Sequence, residues 1–228
     1  MWSELLPGTL LAGTPKCGQR PEEGIGFVFG LAAHDLVSLS RPLLGVVIFT
    51  ELWLEPTSGV VLPATALACL SDYTDGPMAR AAGVEPSLKG RLIDNLSDAV
   101  FLALVFSAFA LREVWSDPVW GSAVRFSRHA NWLPVYTLAL SFIPYLLRSL
   151  ADGRADRPTV RSGRGHTAGI ANYVLAMVGA VAVFPGFPSS PWLLEPTFVT
   201  VALLNGTACA DNLRLMFQRD GGNPTMGG

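Results

Sequence analysis

Four aspartates lie close together in an apolar part of this chain: Asp72, Asp75, Asp94 and Asp98. Asp72 and Asp75 are three residues apart, and Asp94 and Asp98 are four apart, so each pair lies on one face of a helix. The two helices are joined by a short connection, so we expect the four carboxylates to converge. Clustered carboxylates repel one another unless a cation neutralises them, and hard oxygen ligands suit magnesium, manganese or calcium. The spacing therefore predicts a divalent metal site.

The residues around these aspartates are suited to a phosphate ligand. Gly76, Ala79 and Gly90 leave the same face without bulk, so that a ligand can approach the backbone closely. Arg80 can hold a phosphate through a bidentate contact. A simpler alternative is a set of helix-end caps beside lipid head groups, which explains single aspartates at helix ends. It does not explain four aspartates on converging faces.

The composition indicates a membrane protein. Half of the 228 residues are apolar and only 15% are charged, compared with about 25% charged in soluble domains. The net charge of −2 is too close to neutral to suggest a nucleic-acid partner. The three cysteines show no paired short spacing, so neither a disulfide framework nor a zinc site is expected.

Six apolar stretches are near the length of about 20 residues that a bilayer-spanning helix needs. They cover residues 36–54, 59–80, 92–111, 131–150, 168–185 and 196–216. We therefore predict an all-α integral membrane bundle of six transmembrane helices with a polar cavity. The predicted organisation is an N-terminal extension at 1–33, a membrane domain at 34–217 and a flexible C-terminal tail at 218–228.

The distribution of Lys and Arg predicts the orientation, because cytoplasmic loops carry an excess of these residues. A cytoplasmic N-terminus places 13 of the 16 Lys and Arg residues on the cytoplasmic side, with Arg41 counted among them. Both termini are then cytoplasmic, which in a bacterium means the cell inner membrane. This orientation places the aspartates at the cytoplasmic ends of the second and third helices, and the cavity opens to the cytoplasm.

The same residues resemble a family signature. The pattern Asp-x-x-Asp-Gly-x-x-Ala-Arg, a spacer, and Gly-x-x-x-Asp-x-x-x-Asp is typical of the CDP-alcohol phosphotransferases. Every position of it is filled here, by Asp72, Asp75, Gly76, Ala79, Arg80, Gly90, Asp94 and Asp98. HDLVSLSRPLL, from His34, and SGRGHTAG, from Ser162, also resemble the first helix of the family and the basic segment before its fifth helix.

The resemblance implies a mechanism. A CDP-linked lipid donor would bind with its diphosphate bridged by two Mg²⁺ or Mn²⁺ ions, which the four aspartates hold. The residues expected to contact CDP are Asp72, Asp75, Gly76, Ala79, Arg80 and Gly90. Asp98 would act as the general base that removes the proton of an alcohol acceptor, and CMP would be released. The resemblance also implies a homodimer among membrane lipids, acting in phospholipid biosynthesis.

Basic residues between the fourth and fifth apolar stretches suggest an anionic acceptor such as glycerol 3-phosphate. The candidate acceptor-binding residues are Arg148, Arg161, Arg164 and His166, and Arg154 and Arg157 belong to the same basic segment. An alternative is that the segment contacts lipid phosphates and enforces topology. For Arg164 and His166 the resemblance favours acceptor binding.

Two other functions stay open from the sequence. One is a non-catalytic nucleotide- or lipid-binding paralogue, against which the complete aspartate set argues. The other is a membrane prenyltransferase, which also uses Asp-rich motifs and magnesium. Such enzymes place their two motifs far apart, whereas Asp75 and Asp94 are only 19 residues apart.

Overall fold

Six α-helices form the described part of the chain. A computed structural model describes residues 33–81, 88–115, 130–154, 162–186 and 191–220. The helices are α1 (Ala33–Leu54), α2 (Val61–Ala81), α3 (Leu88–Leu111), α4 (Leu133–Arg154), α5 (Gly163–Ala182) and α6 (Pro191–Asp220). The predicted all-α class is confirmed, and each predicted apolar stretch falls on one of these helices.

Prolines inside the helices do not end them. Pro42 lies within α1, Pro77 within α2, Pro144 within α4 and Pro196 within α6. Membrane helices tolerate proline when neighbouring groups satisfy the carbonyl that loses its intrahelical partner. The interruption that Pro42 suggests in the first apolar stretch is therefore absent from α1.

Four of the six helices are long and apolar enough to cross a membrane: α1, α3, α4 and α5. Within the described residues, α2 and α6 contain no stretch that meets the same length and hydropathy. Large apolar side chains such as Leu43, Leu140 and Leu203 lie exposed on the outer surface. Because lipid tails solvate such side chains better than water does, this surface is that of a membrane protein.

Within the described residues, helix α3 contributes more side chains to the apolar core than any other helix. Phe101, Val105, Phe106 and Phe109 are fully buried, at spacings that keep them on the inward side of the helix. Helix α3 packs against α1, α4 and α5. A Cβ atom at Gly179 of α5 would lie only 2.5 Å from the Phe109 ring, so glycine is required for this close approach.

Helix α1 connects the two helices that carry the aspartates. It packs against both α2 and α3, whereas α2 and α3 make little direct contact within the described ranges. At the opposite end of the bundle, Arg112 donates to the backbone carbonyls of Leu52 and Trp53 and so closes the C-terminal end of α1. Helix α1 is therefore the main packing partner that α2 and α3 share in the described ranges.

Candidate active site

Three of the four predicted aspartates converge. Asp72 of α2 and Asp94 and Asp98 of α3 each present a carboxylate oxygen, and these oxygens lie within 4.8 Å of one another. We call these three residues the carboxylate cluster. Their side chains keep 41%, 40% and 24% of their surface exposed, in that order, so a ligand can reach them.

The remaining signature residues are described less fully. Asp75, Gly76, Ala79 and Arg80 lie within helix α2, but their side chains are outside the described part of the structure. Asp75 follows Asp72 by one helical turn, as the sequence predicts. Gly90 lies in the first turn of α3 and is half-buried.

Arg41 of α1 is the central cation of this site, and the sequence analysis missed it. Its Nη1 donates to Asp98 Oδ1 and, at 3.3 Å, to Asp72 Oδ1, while its Nη2 donates to Asp94 Oδ1 at 2.6 Å. The Arg41 side chain has no exposed surface. One guanidinium therefore bridges all three members of the carboxylate cluster from the protein interior.

The interpretation of Arg41 as one of the loop cations is wrong, because it lies inside helix α1. A usable signal was present: Arg41 is the only Lys or Arg in the apolar stretch 36–54. Ionisable residues within membrane helices usually face the bundle interior and pair with one another. The four aspartates of the signature were the obvious partners. Ser38, one turn earlier, adds a hydrogen bond to Asp94 Oδ1 at 3.3 Å.

Tyr173 of α5 is a second residue that the sequence analysis missed. Its hydroxyl donates to Asp98 Oδ1 at 2.5 Å. The ring stacks on Phe101, with the centroids 5.9 Å apart, and this contact orients the hydroxyl towards α3. Asp98 is thus held by groups from two other helices. No local pattern marks Tyr173, because it lies 75 residues from Asp98.

A cavity of about 370 Å³ adjoins the carboxylate cluster. All three aspartates line it, together with Arg91 and Asn95 from the same face of α3. Asn95 donates to the Tyr145 hydroxyl of α4 at 3.0 Å, which fixes both polar groups in the cavity wall. The volume lies within the range of about 300–1,000 Å³ that is usual for small-molecule sites.

A cluster of uncharged polar side chains forms another part of the cavity wall. Asn172 of α5 and Asn205 of α6 exchange two side-chain hydrogen bonds, of 2.9 and 3.0 Å. Thr137 and Ser141 of α4 each lie 3.4 Å from the Asn205 amide. We call these four residues the amide network. Asn172 and Ser141 line the cavity, so the network joins three helices directly behind its surface.

The beginning of α5 also borders the cavity. Ser162 caps the helix by accepting a hydrogen bond from the Gly165 backbone N–H at 3.1 Å, and its hydroxyl donates to the Asp211 carboxylate of α6. Ser162, Gly165, His166 and Asn212 line the cavity here. The start of a helix carries partial positive charge, and the Asp211 carboxylate supplies a negative group beside it here.

The acceptor candidates differ in position. His166 and Arg164 are both exposed, but only His166 is among the residues that line the cavity in the described part of the chain. Arg148 is buried, with its guanidinium 5.9 Å from the centre of the Tyr145 ring. Arg161 lies outside the described residues. Arg91, which the sequence analysis left without a role, lines the cavity three residues before Asp94, on the same helical face.

The donor set fits a divalent cation. Carboxylate oxygens are the ligands that Mg²⁺ and Mn²⁺ prefer, and one from each of three residues on two helices converges here. Arg41 and the three carboxylates together carry a formal charge of −2. The cluster therefore has the ligand chemistry and the formal negative charge that suit a divalent ion.

Comparison with known proteins gives one match. The family model described as CDP-alcohol phosphatidyltransferase matches residues 32–205, which is most of the chain and includes α1 to α5 with much of α6. Neither a curated protein sequence nor a solved structure matches.

Proposed function

Because the chain belongs to the CDP-alcohol phosphatidyltransferase family, we propose that it transfers a phosphatidyl group from CDP-diacylglycerol to an alcohol and releases CMP. The observation that carries this proposal is the convergence of Asp72, Asp94 and Asp98 on the wall of an accessible cavity. Members of this family transfer phosphatidyl groups in phospholipid biosynthesis with the help of divalent metals.

The aspartates are assigned to the metal. Asp72, Asp75, Asp94 and Asp98 would hold two Mg²⁺ or Mn²⁺ ions, which when bound neutralise the donor diphosphate and stabilise charge on the attacking and leaving oxygens. Gly76, Ala79, Arg80 and Gly90 are assigned to the CDP group. All of these except Gly90 lie in α2, whose path along the cluster is set by its packing against α1.

Asp98 is assigned the proton transfer. Within the described residues, the groups that donate to Asp98 reach its Oδ1, which leaves Oδ2 to accept a proton. As the acceptor oxygen bonds to the phosphorus of the phosphatidyl group, its proton moves to Asp98. The bond from that phosphorus to the CMP oxygen breaks, and CMP leaves with the electron pair. General base catalysis of this kind contributes roughly 10²–10⁴-fold.

The acceptor is proposed to be anionic, for example a phosphorylated polyol such as glycerol 3-phosphate. Support comes from Arg91, His166 and the start of α5, which meet at the cavity wall. Arg148, Arg161 and Arg164 are proposed to add to the positive potential around this region. Their guanidinium groups could equally bind lipid phosphates, so their contribution has to be measured residue by residue.

The orientation and assembly complete the proposal. All six helices cross the membrane, both termini and the cavity opening are cytoplasmic, and two copies form a dimer. The four strongly apolar helices and the Lys and Arg distribution support this topology. In a chain with Cys69 and Cys209 replaced by serine, an impermeant thiol reagent should label Cys17 only from the cytoplasmic side. Labelling from the outside would reverse the topology, and light scattering of the purified protein would refute the dimer if it gave a monomer mass.

The activity is tested by CMP release from the purified chain with CDP-diacylglycerol and a panel of alcohols and phosphorylated polyols. Release should require both Mg²⁺ or Mn²⁺ and one acceptor, and it should stop when EDTA removes the metal and resume when metal is restored. Full activity in EDTA would remove the metal from the mechanism. If CDP-diacylglycerol bound without CMP release for any acceptor, the chain would instead be a non-catalytic lipid-binding member of the family.

A further inference from the structure

We propose that Arg41 is an internal counter-ion that holds the carboxylate cluster together without metal and lowers the affinity of the cluster for divalent cations. This inference rests on the proposed metal-dependent function. It assigns a positioning role to a residue of α1, outside the aspartate-containing segment from which the site was predicted.

Arg41 lies where it can fix the relative positions of the three carboxylates. The carboxylates come from α2 and α3, which make little direct contact in the described ranges, and α1 packs against both. Arg41 donates to one oxygen of each carboxylate, and its Nη2 is also 3.3 Å from Ser38 Oγ. The two terminal nitrogens of a guanidinium point in fixed directions, so this contact sets the positions of the three oxygens relative to one another.

Arg41 and a cation in the cavity would contact the carboxylate cluster from opposite sides. The Arg41 side chain is fully buried and does not line the cavity, whereas all three aspartates keep exposed surface and line it. Arg41 therefore contacts the cluster from the protein side, and a cation from the cavity reaches it from the other side. The two cations would share the carboxylates without occupying the same space.

The positive charge of Arg41 affects both the stability of the fold and the affinity of the cluster for a metal ion. Three like charges within a few ångströms destabilise a fold strongly when nothing neutralises them, and the removal of one partner from a buried ion pair is among the most damaging substitutions. With Arg41 present, the chain can fold with its carboxylates in place before a metal arrives. The same positive charge also repels an incoming divalent ion, because the two cations would be separated by only a few ångströms of protein.

The experiment compares metal binding and stability in purified Arg41→Gln, Arg41→Lys and wild-type protein, without donor or acceptor. Binding of Mn²⁺ is followed by the loss of the free-ion electron paramagnetic resonance signal, and unfolding by the apparent Tm in EDTA and in saturating Mn²⁺. In EDTA, Arg41→Gln should unfold roughly 10 °C below wild type. Its Mn²⁺ dissociation constant should be lower than that of wild type by about tenfold or more, since the competing charge is gone.

Arg41→Lys separates charge from shape. Lysine keeps the positive charge but loses the fixed fork of donors. If the charge governs metal affinity, Arg41→Lys should bind Mn²⁺ within about threefold of wild type. If Arg41→Lys instead behaves like Arg41→Gln, geometry governs and the counter-ion role is overturned.

Arg112→Gln is the matched control. Arg112 also bonds within the bundle, to the carbonyls of Leu52 and Trp53, but it directly follows the end of α3, about 20 Å along the helix axis from Asp98. Its loss should lower the Tm equally in EDTA and in Mn²⁺. In Arg41→Gln, by contrast, Mn²⁺ should recover most of the lost stability, because the metal replaces the missing positive charge.

The outcomes distinguish this inference from the proposed function. Unchanged or weaker Mn²⁺ binding in Arg41→Gln would overturn the counter-ion role, as would a loss of Tm that Mn²⁺ does not relieve. Absence of Mn²⁺ binding in wild type would also overturn it. If Mn²⁺ bound as expected but no acceptor gave CMP release, only the proposed function would fail.

Discussion

The carboxylate cluster and the amide network are two polar groups beside the same cavity, and they differ in charge. The amide network is neutral, and Asn172 and Asn205 satisfy each other through reciprocal hydrogen bonds. The three aspartates of the carboxylate cluster and Arg41 together carry a formal charge of −2. A polar group that satisfies itself stabilises a fold, whereas a cluster of like charges is suited to bind an ion of the opposite charge. The comparison therefore locates the chemistry at the aspartates and assigns support of the cavity wall to the asparagines.

The largest expected effect is a loss of turnover when Asp98, the proposed base of the carboxylate cluster, is replaced. Asp98→Asn should lower kcat by roughly 10²–10⁴-fold, because an amide cannot accept the acceptor proton. The variant should still fold and bind CDP-diacylglycerol, since Asp72 and Asp94 remain. The measurement is the initial rate of CMP release beside a direct donor-binding assay. Near-normal turnover would remove Asp98 from the proton transfer.

The second expected effect is a loss of stability when a negative charge is added to the neutral amide network. Asn205→Asp is nearly isosteric but places a carboxylate against the Asn172 amide oxygen, where no cation faces it among the described residues. We expect a loss of about 3 kcal/mol in the free energy of unfolding, measured as a lower Tm. Mg²⁺ should not relieve this loss, in contrast to its expected effect on Arg41→Gln. Relief by Mg²⁺ would mean that the amide network is also able to bind a cation.

A third, smaller effect tests how Asp98 is held. Tyr173→Phe keeps the ring that stacks on Phe101 but removes the hydroxyl that donates to Asp98. We expect kcat to fall by about tenfold, which corresponds to the ~1.4 kcal/mol that one hydrogen bond to a charged group contributes. The KM for the donor should change little. An unchanged kcat would show that Arg41 alone positions Asp98.

The smallest expected effect concerns the acceptor. His166 and Arg164 are both exposed on the first turn of α5, but only His166 lines the cavity, so the pair is a matched test of position. His166→Gln should raise the acceptor KM by roughly fivefold, equivalent to one lost hydrogen bond, while the donor KM stays constant. Arg164→Gln should raise it less. If Arg164→Gln raised the acceptor KM more than His166→Gln did, the acceptor would bind on the outer face of α5.

The helices and the aspartate spacing could be predicted from the sequence because both depend on neighbours within one or two turns. The apolar stretches gave six helices whose bounds differ from the predicted ones by a few residues. The spacing of Asp94 and Asp98 places both on one face of α3, and the structure confirms that they point to the same site as Asp72. The family could also be recognised, since its signature is a local pattern that the family match bears out.

The partners of the aspartates were decided by tertiary structure alone. Arg41 lies 31 to 57 residues from the carboxylates that it contacts, and Tyr173 lies 75 residues from Asp98. Asn172 and Asn205 are 33 residues apart. Helical periodicity shows which residues share a face, but the rotation of each helix about its axis depends on how all six pack. Arg41 points towards α2 and α3 and not towards lipid. This direction follows because α1 packs against those helices and because a charged group in lipid has a high free-energy cost.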